Sequence, residues 1–257
     1  MKPTEHFNLK DHVAIVTGGG NGIGRACCRM LADYGAAVAV ADLDLSDAEA
    51  VAEGIRGDGG RALAVRCDVT DDADRTGLVE RAVAEFGGVH VLVNNAGGGG
   101  AGRESPTDIS VEQFASVFAL NVFSGWRLAQ LCAPHMKRAG TGSIVNISSM
   151  ASVNHSPAIS AYASSKAAVN HMTANLAFDY GPTVRVNAVA PGAVRTDALA
   201  SVLTPEIERR MLAHTPLERL GEVEDIAGAV LYFAAPISSW VSGQVLFVNG
   251  GGVQTLD

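Results

Sequence analysis

At 257 residues, 47% hydrophobic and 18% charged, the chain has the composition of a globular protein with room for one sizeable α/β domain. Its net charge of −8 supplies no basic footprint, which argues against nucleic acid as the main partner and gives no reason to expect an anionic membrane surface. No apolar run reaches the roughly 18–20 residues of a membrane span, and the stretch Met1 to His6 has no signal-peptide core. The cysteines (Cys27, Cys28, Cys67 and Cys132) show no CxxC or metal spacing, and the histidines show no ligand pairing at helical spacing. Buried thiols in a reducing cytoplasm, and no metal, are the expectation.

Apolar stretches alternate with amphipathic ones almost from end to end. Residues 12–16, 36–41, 62–65, 89–93, 143–147, 184–189 and 245–248 read as short strands. They are continuously apolar rather than alternating, the pattern of strands buried on both faces of a parallel sheet. Helices are predicted over 23–34, 46–56, 71–86 and 111–138, with Ser46 and Asp71 as candidate N-caps. This order predicts an α/β fold of Rossmann type, a doubly wound parallel sheet with helices on both faces. Without a Pro/Ser-rich linker or an internal repeat, residues 1–257 read as a single domain. The longest interruption, 193–220, sets Leu199, Leu203, Met211, Leu212 and Leu217 among polar residues. It reads either as an amphipathic helical pair over the core or as an apolar lid over a hydrophobic substrate.

The first strand runs into Thr17-Gly18-Gly19-Gly20-Asn21-Gly22-Ile23-Gly24. A helix starting there points its N-terminal amides at a phosphate, and glycines let backbone approach a pyrophosphate. The spacing Gly18-x3-Gly22-x-Gly24 differs from the general GxGxxG fingerprint, and a purely structural turn is the alternative. The second strand ends at Asp42, where a carboxylate can accept from ribose hydroxyls and repel a 2′-phosphate, favouring NAD over NADP. Asp44 competes for that role. Asp68 beside Val69 suits an adenine edge, or else a helix-capping loop. Asn94-Asn95-Ala96-Gly97 closes the fourth strand with side chains that can tie strand ends and small residues that leave room. Asn121 interrupts an apolar helix, where a residue that competes for backbone hydrogen bonds is locally unfavourable.

Tyr162 and Lys166 stand four apart in Ser160-Ala161-Tyr162-Ala163-Ser164-Ser165-Lys166, which puts them on one helix face. A free phenol titrates near 10, too high for a base at neutral pH, and a fixed cation beside it favours phenolate. Ser148-Ser149 precede them at the end of the fifth strand and supply a hydroxyl. Together these groups can move a proton while a hydride moves elsewhere.

The ordered set resembles the short-chain dehydrogenase/reductase family: Thr17–Gly24, Asp68, Asn94–Gly97, Asn121, Ser149, Tyr162/Lys166, Pro191-Gly192 and Thr196 cover nearly the whole chain. The resemblance implies Tyr162 as general base, Lys166 lowering its pKa and holding a ribose, Ser149 (with Ser148 as neighbour) bonding the reacting oxygen, and Asn121 holding a proton-passing water. It implies NAD held by Gly18, Asn21, Gly22, Ile23, Gly24, Asp42, Asp68, Val69, Asn95, Ala96, Gly97, Tyr162, Lys166, Pro191, Gly192, Val194 and Thr196. Thr196 can alternatively cap a helix. Substrate contacts fall on Gly99, Ser149, Asn154 and Tyr162.

Within that family Asn94–Gly100, Leu120–Ser124, Tyr162–Ala168, Ala190–Ala193, Thr196–Leu199, Leu203–Glu208, Ser239–Gln244 and Gly250–Gln254 are similar to the members that oxidise the 7α-hydroxyl of bile acids with NAD. Ala151–Ile159, with His155 and Pro157, departs from their pattern where the substrate pocket is expected. A steroid alcohol as substrate and a homotetramer are what the resemblance implies. The competing readings are a reductase of another carbonyl, such as a 3-oxoacyl thioester or a sugar ketone, and a nucleotide-sensing protein without turnover.

Overall fold

The computed structural model of the chain describes residues 6–99, 105–200 and 203–252. The expected apolar runs form seven parallel strands: β1 (Val13–Thr17), β2 (Ala37–Asp42), β3 (Arg61–Arg66), β4 (Val91–Asn94), β5 (Gly142–Ile147), β6 (Val184–Pro191) and β7 (Val245–Val248). Their order is β3-β2-β1-β4-β5-β6-β7. The helices are α1 (Gly22–Asp33), α2 (Leu45–Gly57), α3 (Asp72–Phe86), α4 (Val111–Phe118), α5 (Ser124–Ala139), α6 (Ser160–Tyr180), α7 (Asp197–Ala200), α8 (Pro205–Leu212) and α9 (Val223–Ala234).

Alternation of side chains along each strand divides the interior into two layers. Ala14, Val16, Val38 and Val40 pack under α1, α2 and α9 with Leu31, Ile55, Ile226 and Phe233. Ile15, Ala39 and Ala41 face the other side with Leu78, Leu128, Met136 and Leu176 of α3, α5 and α6. With both faces covered, the central strands are apolar along most of their length, which is why their pattern is nearly continuous. Strand order reverses between β1 and β4, and a crevice opens at the carboxyl ends of the strands there.

Two expectations are corrected. The N-cap of α2 is Asp44 rather than Ser46: its carboxylate accepts from the Ser46 amide (2.8 Å) and hydroxyl (2.6 Å). Asp71 caps α3 as expected, accepting from Asp74 N at 2.9 Å. The helix expected over 111–138 is not continuous, because Ala119–Phe123 form a π-helical turn between α4 and α5. Its cause lies in Asn121, described below. Ser110 and Gln113 close a reciprocal capping box on α4, fixing where that helix starts.

Two glycines, one in β5 and one in α3, should respond oppositely to alanine. At Gly142, buried in β5, a Cβ would meet the Met136 side chain at 2.6–2.8 Å, so Gly142→Ala is expected to cost about 1–3 kcal/mol by overpacking. At Gly77 within α3 a Cβ meets nothing within 4 Å, and Gly77→Ala should stabilise by about 0.4–1 kcal/mol. Urea unfolding of the two variants measures both signs.

Candidate active site

A cleft of about 570 Å³ lies along the carboxyl ends of the strands, from Asp42, Leu43, Asp68 and Val69 at one end to Ser149, Tyr162 and Lys166 at the other. Gly18, Asn21, Gly22 and Ile23 form its first wall, Asn95, Ala96 and Gly97 its floor, and Pro191, Gly192, Val194 and Thr196 its far side. The turn after β1 reaches this geometry because Gly18 (φ 60°) and Gly22 (φ 49°) adopt left-handed backbone. Gly24 faces inward instead: a Cβ there would sit 1.9 Å from the Gly18 carbonyl, so α1 can lie against the turn only without one. The cleft fits a dinucleotide. Free amides open α1 at one place, a carboxylate ends β2, and a Cβ at Gly97 would fill the space 2.8 Å from Asn121 Oδ1 and 3.2 Å from Lys166 Nζ.

The structure separates the two acids after β2. Asp42 lines the cleft and accepts from Gly20 N at 2.8 Å, whereas Asp44 is committed to capping α2. Asp68 also lines the cleft, while its carboxylate accepts from the Thr70 amide (2.8 Å) and hydroxyl (2.7 Å). Those hydrogen bonds hold its pKa below the ordinary value. Asn95 ties two strand ends, donating to the carbonyls of Thr17 (2.9 Å) and Gly18 (3.0 Å). Asn94 bridges to Asn146 Oδ1 at 2.8 Å. Thr196 does both things the sequence allows: it lines the cleft and accepts from Leu199 N at 3.2 Å at the start of α7.

At the other end, Tyr162 and Lys166 sit one turn apart on α6, and the ammonium lies 5.7 Å from the phenol ring centroid. Lys166 is 4% exposed and donates to the Ile147 carbonyl at 2.9 Å. Burial lowers its pKa to about 8. Burial also pushes the Tyr162 phenol up, and a hydrogen bond with Ser149 pulls it partly back. The serine pair divides its duties. Ser148, buried, donates to the Lys166 carbonyl at 3.2 Å, while the Ser149 hydroxyl accepts from Ala151 N at 3.1 Å and faces the phenol.

Asn121 is buried behind the cleft floor. Its amide nitrogen donates to the Gly98 carbonyl and the Ser165 hydroxyl, both at 2.9 Å, and its oxygen accepts from Gly98 N at 2.9 Å. The side chain therefore clamps the loop after β4 against α6. To place it there the helix takes one wide turn, a device frequent at functional sites.

Some expected residues stand apart. Gly99 is exposed, a Cβ there would meet nothing within 4 Å among the described residues, and it is not among those lining the cleft. Asn154 is half-buried in the loop after β5, its amide donating to Met150 O at 3.0 Å, also outside the cleft lining. Residues 201–202 of the expected lid, together with Gly100, Val253 and Gln254, lie outside the described residues. Sequence reasoning missed Leu43, Cys67, Gly98, Leu120 and Ile147, which line the cleft as neighbours of motif residues and carry no signal of their own.

Because burial depresses the Lys166 pKa, the charged form is disfavoured in the fold. That cost is full below pH 8 and fades as pH rises towards the ordinary value of 10.5. Wild type should gain up to roughly 3 kcal/mol relative to Lys166→Met across that window. Unfolding curves at pH 8 and 10, without nucleotide, test this; parallel curves would show that the ammonium is not desolvated.

A family model described as enoyl-(acyl carrier protein) reductase matches residues 18–252. The 7α-hydroxysteroid dehydrogenase of Escherichia coli (strain K12) is 47% identical over 258 residues, covering 100% of both chains. A 7α-hydroxysteroid dehydrogenase of Clostridium sardiniense is 38% identical and covers 95% of this chain and 94% of its own. Among solved structures, a 7α-hydroxysteroid dehydrogenase complexed with NADH and 7-oxo glycochenodeoxycholic acid superposes with a TM-score of 0.96 at 47% identity, covering 100% of both chains. Matches of this extent, on a parallel sheet that carries tyrosine, lysine and serine at one end of its cleft, make the chain a member of the short-chain dehydrogenase/reductase family.

Proposed function

We propose that this protein is an NAD-dependent dehydrogenase that oxidises the 7α-hydroxyl of a bile acid or related steroid to the ketone. The observation that carries the reading is the meeting of Ser149, Tyr162 and Lys166 at the end of a cleft whose other end presents Asp42. Tyr162 takes the hydroxyl proton. Its buried phenol resists ionisation and the hydrogen bond with Ser149 pulls the other way, while a phenolate formed during the reaction would lie beside the Lys166 ammonium, 5.7 Å from the ring centroid. The Ser149 oxygen already accepts the Ala151 amide, which leaves its proton for the phenol or for the reacting oxygen, where negative charge develops. Bound NAD supplies the hydride acceptor. Asp42 repels a 2′-phosphate and so selects NAD.

The steroid assignment draws on full-length relatives that carry that name. Reduction of a carrier-bound thioester, the activity in the family model's description, is the second reading. A carrier protein would need a basic docking surface, and a net charge of −8, with Asp42 ending β2 and Asp44 capping α2 beside the cleft, does not favour one. We assign the protein to the cytoplasm, where the thiols of Cys27, Cys28, Cys67 and Cys132 stay reduced. A homotetramer accounts for the exposed Phe123 of the π-helical turn, Trp126 of α5, Phe178 of α6, and Leu246 and Phe247 of the edge strand β7. Light scattering after gel filtration should return four times the 26.5 kDa chain mass.

The decisive assay follows NADH formation with cholate, chenodeoxycholate and their 7β epimers. Turnover confined to 7α-hydroxy compounds and to NAD is expected. Tyr162→Phe should lose about 10²–10⁴-fold in kcat while NADH still binds. Retained turnover in that variant removes Tyr162 as the base, and silence on every steroid moves the substrate to another alcohol.

A further inference from the structure

The turn after β5 carries a second set of hydrogen bonds that the proposed chemistry does not use directly. Ser149 begins a 3-10 turn, Met150–Ser152, and its carbonyl accepts from Ser152 twice, from the amide at 3.0 Å and from the hydroxyl at 2.6 Å. The Ser152 oxygen in turn accepts from Asn170 Nδ2 at 2.8 Å. Asn170 lies four residues beyond Lys166 on α6, so Tyr162, Lys166 and Asn170 follow one another along one face of that helix. The other end of the Asn170 amide is unusual: Oδ1 is buried and finds no hydrogen-bond partner among the described residues. Desolvating a carbonyl oxygen without a partner is unfavourable, and an apolar side chain would avoid it. A polar group kept where it breaks the local rule points to a role beyond stability.

We propose that Asn170 and Ser152 are positioning residues for Ser149, a relay from α6 that fixes the serine hydroxyl against Tyr162. The inference rests on the proposed roles of Ser149 and Tyr162. The geometry leaves little slack. Lys166 anchors α6 to the Ile147 carbonyl, and Asn170, one turn on, anchors the same helix to Ser152, three residues beyond Ser149. With both ends of the strand-to-turn segment tied to one helix, the serine and the phenol cannot drift independently. Small displacements of a group that must meet a reacting oxygen cost up to about 100-fold in rate.

The test uses the full chain and two readouts. Tyrosine ionisation, followed by ultraviolet difference against Tyr162→Phe, reports the Ser149–Tyr162 hydrogen bond without any substrate. Asn170→Ala, Ser152→Ala and Ser149→Ala should each move the Tyr162 midpoint upward, and neither of the first two should add to Ser149→Ala in the double variant. Ser152→Thr, which keeps the hydroxyl, should restore the wild-type midpoint. In the steroid assay the two alanine variants should lose about 5–20-fold in kcat with the KM for NAD unchanged, and this loss should vanish in the Ser149→Ala background. An unmoved Tyr162 midpoint in folded Asn170→Ala and Ser152→Ala overturns the proposal, as does a loss that persists undiminished without Ser149. If wild type oxidises no steroid but the midpoints shift as stated, the substrate reading fails and the positioning role stands.

Discussion

One buried ammonium ties this structure together. Lys166 is held with almost no exposure between α6 and β5, and its hydrogen bond to the Ile147 carbonyl joins the helix to the last residue of that strand. Burying a cation is costly, and the lowered pKa records the cost. What the fold gains is a fixed charge beneath a phenol at the place where β5 gives way to the Ser148–Ser149 turn. The reacting end of the site surrounds that anchor: the phenol one turn before it, the serine beyond the strand end, and the cleft floor at Gly97, where a Cβ would stand 3.2 Å from the ammonium.

The same economy explains the π-helical turn. Asn121 spends its amide on Gly98 and Ser165, clamping the loop after β4 to the helix that carries Tyr162 and Lys166. A regular helix through 119–123 would rotate that side chain away from the cleft floor, because each residue of an α-helix advances by a fixed angle. One added residue per turn restores the aim. In the family reading, Asn121 serves as a water holder. In this geometry its side chain also supports the loop mechanically, and the backbone of Gly97 and Gly98 approaches the cleft because of it.

Much of the fold was legible in the sequence because a parallel sheet leaves a strong local trace. Strands buried on both faces are apolar along most of their length, as Val13–Val16 and Ala37–Ala41 are, and where β5 carries Ser143 and Asn146 their side chains donate to Phe233 O (2.8 Å) and Thr173 Oγ1 (2.9 Å). Boundaries set by side-chain to backbone bonds were less legible. Ser46 and Asp44 are both good caps by residue type, and the choice between them depends on which reaches the first free amides. The break at Asn121 was visible as a residue out of place, but its consequence, a change of helix type, was not. Asp42 already leads Asp44 by its position at the strand end, and the structure shows what keeps them apart, one carboxylate lining the cleft and the other capping its own helix.

The sequence by itself determined the class of fold, the order of the motifs and the identity of the groups that could do the chemistry. Each of these is carried by residue type and by spacing along a helix or strand, and both are local. Only the tertiary structure decided which of two adjacent serines faces the phenol and which binds the helix behind it, that Gly24 packs while Gly22 lines the cleft, and that Gly99 and Asn154 stand outside it. It also brought Ser152 and Asn170 together across 18 residues of chain. Such pairings depend on how a helix lies on a sheet, a relation set by the packing of many distant side chains at once and by no single stretch of sequence.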